Sequence, residues 1–246
     1  MYKFSKNPKF KVDFLSDTWK DKMFLTDNRS FSGNNTQFLK ENAVVEKGIL
    51  NLNLWEAPDG ASHTKQFEGA EIKSYDHFSY GRYVCKFSPS IISGVNSNVF
   101  LFLDGVDLSK KWNEIDFEMV SIPDGTENKI LTNYWWEPGQ NNELWFPIKH
   151  DSKSVTTIAE NIIYFSQFRT YEIQYLPNGI RWIIDKKILR EEFNPPFPTH
   201  SLRFIANIWI PNYTSGMNTW AGKLDLNNLP TLAKYEFFEY YPLLED

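Results

Sequence analysis

The sequence contains a single cysteine, Cys85, so an intrachain disulfide cannot form and a disulfide-stapled scaffold is excluded. Cys85 lies in an alternating run, on the face that it shares with Tyr83 and Phe87, where we expect a small buried hydrophobic side chain rather than a nucleophile. The histidines are also few and show no spacing typical of zinc ligands, so a zinc enzyme is not expected. They are His63, His77, His150 and His200.

Long hydrophobic runs and basic clusters are missing as well. No stretch approaches the ~20 apolar residues that a membrane-spanning helix needs, and Met1–Phe10 has no apolar run, so we expect neither a membrane partner nor a signal peptide in this sequence. The 26 Lys and Arg residues are outnumbered by 31 Asp and Glu, which gives a net charge of −5. Because affinity for nucleic acid depends largely on clustered basic residues, a neutral ligand is favoured over a nucleic-acid partner.

Aromatic residues, in contrast, make up 17% of the chain, and their 9 tryptophans suggest a surface that stacks on flat ligands. The dominant hydrophobic period is two, which is typical of half-buried strands, and no segment shows a sustained helical stripe. Short alternating runs separated by turn residues occur at Gly48–Trp55, Glu68–Ser74, Tyr80–Phe87, Asn98–Leu103, Trp112–Val120, Lys129–Trp136, Thr170–Tyr175, Gly179–Ile184, Leu202–Ile210 and Ala233–Tyr241.

These runs predict an all-β protein of one domain, residues 1–246. Two of them flank Asn178-Gly179, a dipeptide that favours a two-residue hairpin turn because both turn positions need a positive φ. No linker, repeat or low-complexity tract divides the chain, and we interpret Glu137–Asn161 as a long surface loop. The architecture is then an antiparallel two-sheet sandwich, such as a jelly roll with one grooved face, or a barrel.

The most informative run is Trp112–Val120, because alternate side chains of a strand share a face. One face then carries Trp112, Glu114, Asp116 and Glu118, while the intervening side chains point into the core. Crowded like charges raise the pKa of at least one carboxyl group. Cleavage of a glycosidic bond with retention needs one ionised carboxylate as nucleophile and one protonated carboxyl as acid. An acidic, solvated face on an ordinary strand is the alternative interpretation.

The segment Glu114-Ile115-Asp116-Phe117-Glu118 resembles the E-x-D-x-E signature of glycoside hydrolase family 16, in the form without a bulge residue that lichenases and xyloglucan transglycosylases carry. The resemblance extends from about Met23 to Tyr241. It implies a concanavalin-like β-jelly roll of two antiparallel sheets, with a substrate cleft on the concave face.

The resemblance also implies roles for individual residues. Glu114 would be the nucleophile, Asp116 its assistant and Glu118 the general acid/base. The expected sugar-binding residues are Asn28, Glu71, Lys73, Asn133, Trp135, Asn207, Trp209 and Trp220. The strand pattern adds Trp112, which precedes Glu114 on the same face and would offer its ring to the sugar beside the nucleophile. Trp209 lies on an apolar strand and has a core position as its alternative role.

Several departures from the family pattern concern binding rather than the chemical step. Lys73 stands where the family usually has Arg, which keeps the charge but loses the planar bidentate fork. Trp135 stands where a binding Tyr is expected, and Leu103 where a cleft aromatic is expected. Some relatives hold a structural calcium ion with a late Asp. Glu236 falls at that position, so calcium is not predicted, and the reaction needs no cofactor.

The expected function is endo-hydrolysis of a β-1,3-1,4-glucan with retention, through a covalent glycosyl-enzyme. Three rivals stay open: a transglycosylase that uses the same residues, a non-catalytic carbohydrate-binding protein, and a structural jelly-roll protein. We expect a monomer whose partner is a β-linked polysaccharide or oligosaccharide. Because polymeric glycans are usually extracellular, a secreted or periplasmic location is expected, with a cytoplasmic one still open and no leader visible in this sequence.

Overall fold

The computed structural model describes residues 2–104, 112–121, 128–136, 155–156, 167–212 and 221–244. Within these ranges the strands are β1 (Phe10–Asp13), β2 (Met23–Leu25), β3 (Thr36–Phe38), β4 (Ala43–Glu46), β5 (Ile49–Glu56), β6 (Phe67–Ser74), β7 (Gly81–Ser88), β8 (Asn96–Phe102), β9 (Glu114–Ser121), β10 (Asn128–Trp135), β11 (Val155–Thr156), β12 (Arg169–Leu176), β13 (Gly179–Ile184), β14 (Lys187–Glu192), β15 (Arg203–Trp209) and β16 (Thr231–Pro242). Short 3₁₀ turns occur at Asp17–Asp21, Lys40–Asn42 and Leu226–Asn228. The predicted loop Glu137–Asn161 lies outside the described residues except for β11. No helix in the described ranges is long and apolar enough to cross a bilayer.

The strands form two layers that are joined by the pairing of β5 with β6. The inner layer runs β11-β10-β9-β8-β15-β6, with β2 and β3 beyond β6. The outer layer runs β5-β16-β7-β12-β13-β14, with β4 beside β5 and β1 beside β16. Among the described strands, only β3 pairs in parallel, with β6, and the strand order does not close on itself. The prediction of an antiparallel jelly-roll sandwich is confirmed, and the barrel alternative is wrong.

Apolar side chains from both layers meet in one core. Ile115, Phe117 and Met119 of β9 are fully buried there, and the ring of Phe117 lies 5.5 Å from that of Tyr171 on β12. Burial of each such side chain stabilises the fold by roughly 1.5–3 kcal/mol. The predicted alternation of β9 is therefore confirmed: one set of side chains anchors the strand, and the other set is free to line a site.

Two polar side chains of the outer layer reach through the core to the backbone of the inner layer. The indole N–H of Trp182 donates to the carbonyl oxygen of Asp116 at 2.9 Å. The hydroxyl of Tyr235 donates to the carbonyl oxygen of Asn98 at 2.7 Å. An unpartnered donor in an apolar core is costly, so each bond fixes β9 or β8 relative to the opposite layer.

The core includes a segment before Met23, where the family resemblance begins. β1 pairs with the end of β16, and Phe10, Val12 and Phe14 are buried in the common core. Their two-residue spacing is the same strand signal that marks the other runs, in a segment that the family resemblance did not cover. The N-terminal segment is therefore part of the folded core.

The predicted hairpin joins β12 and β13, but its turn is not the expected one. Leu176 pairs with Gly179, so Pro177 and Asn178 are the turn residues, and neither takes a positive φ. The ring of Pro177 holds φ near −65°, which is incompatible with that turn type. A turn with positive φ at both positions lies instead at Asp185–Lys186, between β13 and β14, with φ of 48° and 69°.

Candidate active site

β9 presents three carboxyl groups on the side of the inner layer that faces away from the core. Glu114, Asp116 and Glu118 alternate with the buried side chains of the strand, and we call this side the carboxylate face. On the neighbouring strand β10, Asn133 pairs with Asp116, and Trp135 pairs with Glu114. Directly paired residues share a face of a sheet, so both side chains lie beside the carboxyl groups.

A row of polar side chains crosses the carboxylate face from Glu118. On the adjacent strand β8, Asn98 pairs with Glu118. On the next two strands, Asn207 of β15 pairs with Asn98, and Glu71 of β6 pairs with Asn207. Because strands lie about 4.8 Å apart, the sheet brings together four residues that are distant in the sequence.

Glu114 is held by an indole and by its neighbour on the strand. Nε1–H of Trp112 donates to Oε2 of Glu114 at 2.7 Å, and Asp116 forms a second hydrogen bond with Glu114. Burial raises the pKa of Glu114 to about 7; the bond from Trp112 opposes this rise, and the charge of Glu118 adds to it. Trp112 therefore contributes a hydrogen bond to this carboxyl group, a role that the sequence pattern did not predict.

Asp116 lies between the two glutamates and is the most strongly perturbed of the three carboxyl groups. Burial raises its pKa well above the usual range, the charges of Glu114 and Glu118 raise it further, and a hydrogen bond from Trp135 works against the rise. The raised pKa of Asp116 favours its protonated form, whose O–H can donate a hydrogen bond to the carboxylate of Glu114.

Glu118 is held by a buried amide. Nδ2 of Asn96, which is fully buried, donates to Oε1 of Glu118 at 3.0 Å. Burial raises the pKa of Glu118 to about 7, and the bond from Asn96 opposes the rise. A carboxyl group with this pKa still carries its proton in about half of the molecules at neutral pH, as a general acid requires.

Among the described residues, the three β9 carboxyl groups form hydrogen bonds with uncharged side chains or with one another. No described cation contributes to the shift of their pKa values. Without a cation to neutralise them, they cannot all be ionised at once. The strand can therefore offer one carboxylate as a nucleophile and one protonated carboxyl as an acid.

A second group of charged side chains lies on the carboxylate face around β6, and there cations are present. Glu71 accepts hydrogen bonds from Thr26 at 2.7 Å and from Nδ2 of Asn207 at 2.9 Å. Nζ of Lys73 lies 3.0 Å from Oε1 of Glu71 and 3.0 Å from Oδ2 of Asp104. We call these five residues the Glu71–Asp104 network. Its fixed donors and acceptors suit the hydroxyl groups of a neutral sugar.

Two predicted binding residues occupy the margins of this arrangement. Asn28 is exposed, has a φ of 51°, and accepts a hydrogen bond from Gln37 at 2.8 Å. It follows Thr26, a member of the Glu71–Asp104 network, by two residues. Asn133 is nearly buried beside Asp116, and its Oδ1 accepts the backbone N–H of Tyr134 at 2.9 Å.

The aromatic predictions have mixed outcomes. Trp209 is 6% exposed, but it pairs with Asn96 and so lies on the carboxylate face rather than in the core, with the ring of Phe31 5.0 Å away. Trp220 lies outside the described residues. The prediction that Leu103 stands at a cleft position is wrong, because Leu103 is buried in the core and Phe102, one residue earlier, shares the carboxylate face with Glu114.

The family model described as glycosyl hydrolases family 16 matches residues 31–227, which include the β9 carboxyl groups and most of the Glu71–Asp104 network. The chain belongs to glycosyl hydrolases family 16. The resemblance inferred from Glu114–Glu118 is thus confirmed, and so is the prediction of a glycoside hydrolase.

Curated relatives of the family 16 chain include bacterial enzymes named β-glucanase. The one from Fibrobacter succinogenes is 26% identical over 184 residues, which are 72% of this chain and 47% of the relative. The one from Brevibacillus brevis is 22% identical over 201 residues, 81% of this chain and 69% of the relative. The chain thus spans about half the length of the Fibrobacter protein.

The fold of this family 16 member recurs in solved structures. A β-1,3-1,4-glucanase (lichenase) derived from a mouse hindgut metagenome superposes with a TM-score of 0.76 at 24% identity, covering 94% of this chain and 97% of the other. At this identity the likeness establishes the shared fold.

Several residues of the site escaped the sequence predictions. Asn96 and Asn98 lie at alternate positions of β8 and so share a face, on a strand whose last four residues are apolar. Phe100 and Phe102 share that face and pair with Asp116 and Glu114. No local sequence pattern marks Thr26 as a site residue, because its hydrogen bond to Glu71 depends on the pairing of distant segments.

Glu236 stands where some family members are expected to hold a structural calcium ion with a late Asp. The carboxylate of Glu236 lies 2.8 Å from Nζ of Lys86 and is thereby neutralised. No group of three or more acidic, histidine or cysteine side chains among the described residues could hold a metal ion. The absence of a cofactor stays a prediction.

Proposed function

We propose that the chain is a retaining endo-β-1,3-1,4-glucanase. The observation that carries the proposal is the set of three carboxyl groups on one face of β9, two of them with a pKa raised to about 7 and none paired with a described cation. A binding protein or a structural sandwich would have no use for this costly arrangement, since burying carboxyl groups together is unfavourable. The names of the curated β-glucanases support the choice of substrate.

In the first step, the carboxylate of Glu114 attacks the anomeric carbon and forms a covalent glycosyl ester. The glycosidic bond breaks, and Glu118 transfers its proton to the departing glucosyl oxygen. The hydrogen bonds from Trp112 and Asp116 orient Glu114 for the attack and disperse its charge.

In the second step, the ionised Glu118 removes a proton from a water molecule, which attacks the same anomeric carbon. The ester bond to Glu114 breaks, and the product leaves with its original β configuration. Asn96 stabilises the ionised form of Glu118 between the two steps, because its N–H donates to the carboxylate.

Binding of the glucan is assigned to the carboxylate face on both sides of the catalytic pair. The Glu71–Asp104 network offers donors and acceptors to hydroxyl groups, and Trp135 offers ring surface. Because such a polymer is found outside the cell, we infer that the enzyme acts there, and fractionation of the producing cells would test this location.

A panel of glycans tests the proposal. The purified chain should hydrolyse barley-type β-1,3-1,4-glucan faster than laminarin, xyloglucan, carrageenan or agar, and NMR of the first products should show the β-anomer. Inverted products would exclude the double displacement. Products longer than the substrate would identify a transglycosylase.

The nucleophile is tested by Glu114→Ala, with Glu172→Ala on the outer layer as the matched control. Loss of Glu114 should lower turnover of the glucan by at least about 10⁴-fold, because no other group can form the ester. The control also removes a carboxyl group with a raised pKa, but one distant from β9, and should keep wild-type turnover. Undiminished activity of Glu114→Ala would disprove the assignment.

A further inference from the structure

A pair of aromatic rings lies on the carboxylate face beyond the Glu71–Asp104 network, far from the catalytic carboxyl groups. The ring of Phe24 on β2 lies 5.0 Å from the ring of Tyr75, at an angle of 35°. Tyr75 is 52% exposed and Phe24 is half-buried, so both rings present surface to the solvent. We call these two residues the aromatic pair.

Arg203 fixes the aromatic pair and joins it to the network. Its guanidinium lies 5.5 Å from the centre of the Phe24 ring, and Nη2 donates to the carbonyl oxygen of Tyr75 at 3.4 Å. Nη1 lies 3.5 Å from Oδ2 of Asp104, which neutralises the cation. The aromatic pair is thus held in place beside balanced charges, a setting that favours an uncharged ligand.

Strand register places the aromatic pair on the same face as the catalytic carboxyl groups. Glu114 pairs with Phe102, and Phe102 pairs with Arg203. Phe24 pairs with Lys73, a member of the Glu71–Asp104 network. Four strand steps of about 4.8 Å separate β9 from β2, so the aromatic pair lies roughly 19 Å across the sheet from the catalytic strand. A ligand that contacts both must be a chain of several sugar rings.

We propose that Phe24 and Tyr75 form a distal subsite, which stacks on a pyranose ring of the same β-glucan chain that is cleaved at Glu114 and Glu118. β-Linked glucosyl rings expose flat C–H faces that match exposed aromatic rings, and the polar network between the two places accommodates the intervening hydroxyl groups. This inference rests on the proposed function and adds to it a preference for long substrates.

Chain length is the variable that tests the distal subsite. Hydrolysis of mixed-linkage β-1,3-1,4-gluco-oligosaccharides of three and of seven glucosyl units is compared for the wild type, Tyr75→Ala and Tyr75→Phe. Tyr75→Ala should lower kcat/KM for the heptasaccharide about three- to tenfold and leave that for the trisaccharide within twofold. Tyr75→Phe keeps the ring and should behave as the wild type. Equal loss on both lengths, or loss on neither, overturns the proposal.

A matched control is available on the outer layer, where the exposed ring of Phe193 lies 5.2 Å from the guanidinium of Arg181. Phe193→Ala removes a similar aromatic–arginine contact far from the carboxylate face and should leave the length dependence unchanged. Phe24→Leu, which keeps apolar bulk but removes the ring, should reproduce the effect of Tyr75→Ala, and thermal unfolding verifies that each variant is folded.

Binding measurements separate failure of the distal subsite from failure of the proposed function. Calorimetry is carried out with the heptasaccharide on Glu114→Gln, with and without Tyr75→Ala. A Kd that rises three- to tenfold with Tyr75→Ala supports the distal subsite even if the wild type does not hydrolyse this glucan. An unchanged Kd overturns it even if hydrolysis is observed.

Discussion

The carboxylate face carries acidic side chains in two places, and their neighbours make them chemically different. On β9, Glu114 and Glu118 meet neutral donors, an indole and an amide, and a third carboxyl group. In the Glu71–Asp104 network, the ammonium group of Lys73 lies 3.0 Å from both acids. The two places lie on the same sheet, three strands apart.

The difference shows that the partners, not the residue type, decide what a carboxyl group does here. Buried without a cation, the acids of β9 gain a raised pKa and can exchange protons near neutral pH. Next to Lys73, Glu71 and Asp104 form a fixed network of ion pairs and hydrogen bonds that can hold a sugar. In the proposed mechanism, the β9 half of the face performs the chemistry, and the Glu71–Asp104 network positions the substrate.

The strongest test of the catalytic half is Glu118→Ala. Turnover of the glucan should fall by about 10²–10⁴-fold, because the leaving oxygen is no longer protonated. An activated aryl glycoside should lose less, since its leaving group needs no proton, and azide should restore turnover by attacking the glycosyl-enzyme. Chromatography and NMR should find a glycosyl azide of retained configuration. If azide yields none, Glu118 is not the acid/base.

Stability against pH gives the next largest contrast. The folded-state pKa of Glu118 is raised from 4.5 to about 7, so between these values the folded chain keeps a proton that the unfolded chain releases, and stability declines as pH rises through this window. Glu118→Gln should therefore stabilise the fold by about 1–3 kcal/mol at pH 8 and by much less at pH 4. Glu71→Gln should not stabilise at pH 8, because it weakens the bond to Lys73.

Urea unfolding of both variants at pH 4, 6 and 8 makes this comparison. The two variants make the same substitution in different halves of the carboxylate face. Destabilisation by Glu118→Gln at pH 8, or equal stabilisation by both variants, would show that ionising a buried β9 acid does not lower the stability of the fold.

A smaller effect is expected from Asn96→Leu, which removes the N–H donor from Glu118 but keeps the volume. The pKa of Glu118 should rise further, so the alkaline limb of the pH profile for kcat/KM should move to higher pH, while turnover at neutral pH falls about tenfold. Ser97→Ala changes the opposite face of the same strand and should leave the limb in place. If the alkaline limb does not move in Asn96→Leu, the hydrogen bond from Asn96 does not lower the pKa of Glu118.

The smallest effect should come from the binding half. Lys73→Met removes the cation between Glu71 and Asp104, so KM for the glucan should rise about three- to tenfold, as the loss of about 1 kcal/mol implies. Lys73→Arg restores the charge and should recover most of the affinity. Neither variant should shift the pH limb, because Lys73 does not contact β9. A shift of the alkaline limb would mean that Lys73 interacts electrostatically with the β9 carboxyl groups.

Local sequence was sufficient to predict the strands and the face on which the β9 carboxyl groups lie. The alternation over Trp112–Val120 separated acids from core residues, and the resemblance to family 16 supplied the roles of Glu114 and Glu118, which stay a proposal. The same logic missed Asn96, although its position two residues before Asn98 placed it on the polar face.

What local sequence could not predict depends on long-range pairing. Thr26 reaches Glu71, and Arg203 reaches Asp104, only because β2, β6 and β15 are neighbours in the folded sheet. The prediction for Leu103 was wrong for a related reason, since a shift of one residue moves a side chain to the opposite face of the sheet. The turn at Pro177 was misjudged because the restricted φ of proline outweighs the preference of the following Asn-Gly.

The hydrogen bond from Trp182 to the backbone of Asp116 has a practical consequence for engineering this enzyme. A mutagenesis library confined to residues that touch the glucan would omit Trp182, although its indole fixes the position of β9, which carries both glutamates. Changes in the outer layer can therefore retune the reaction without altering any group that meets the sugar.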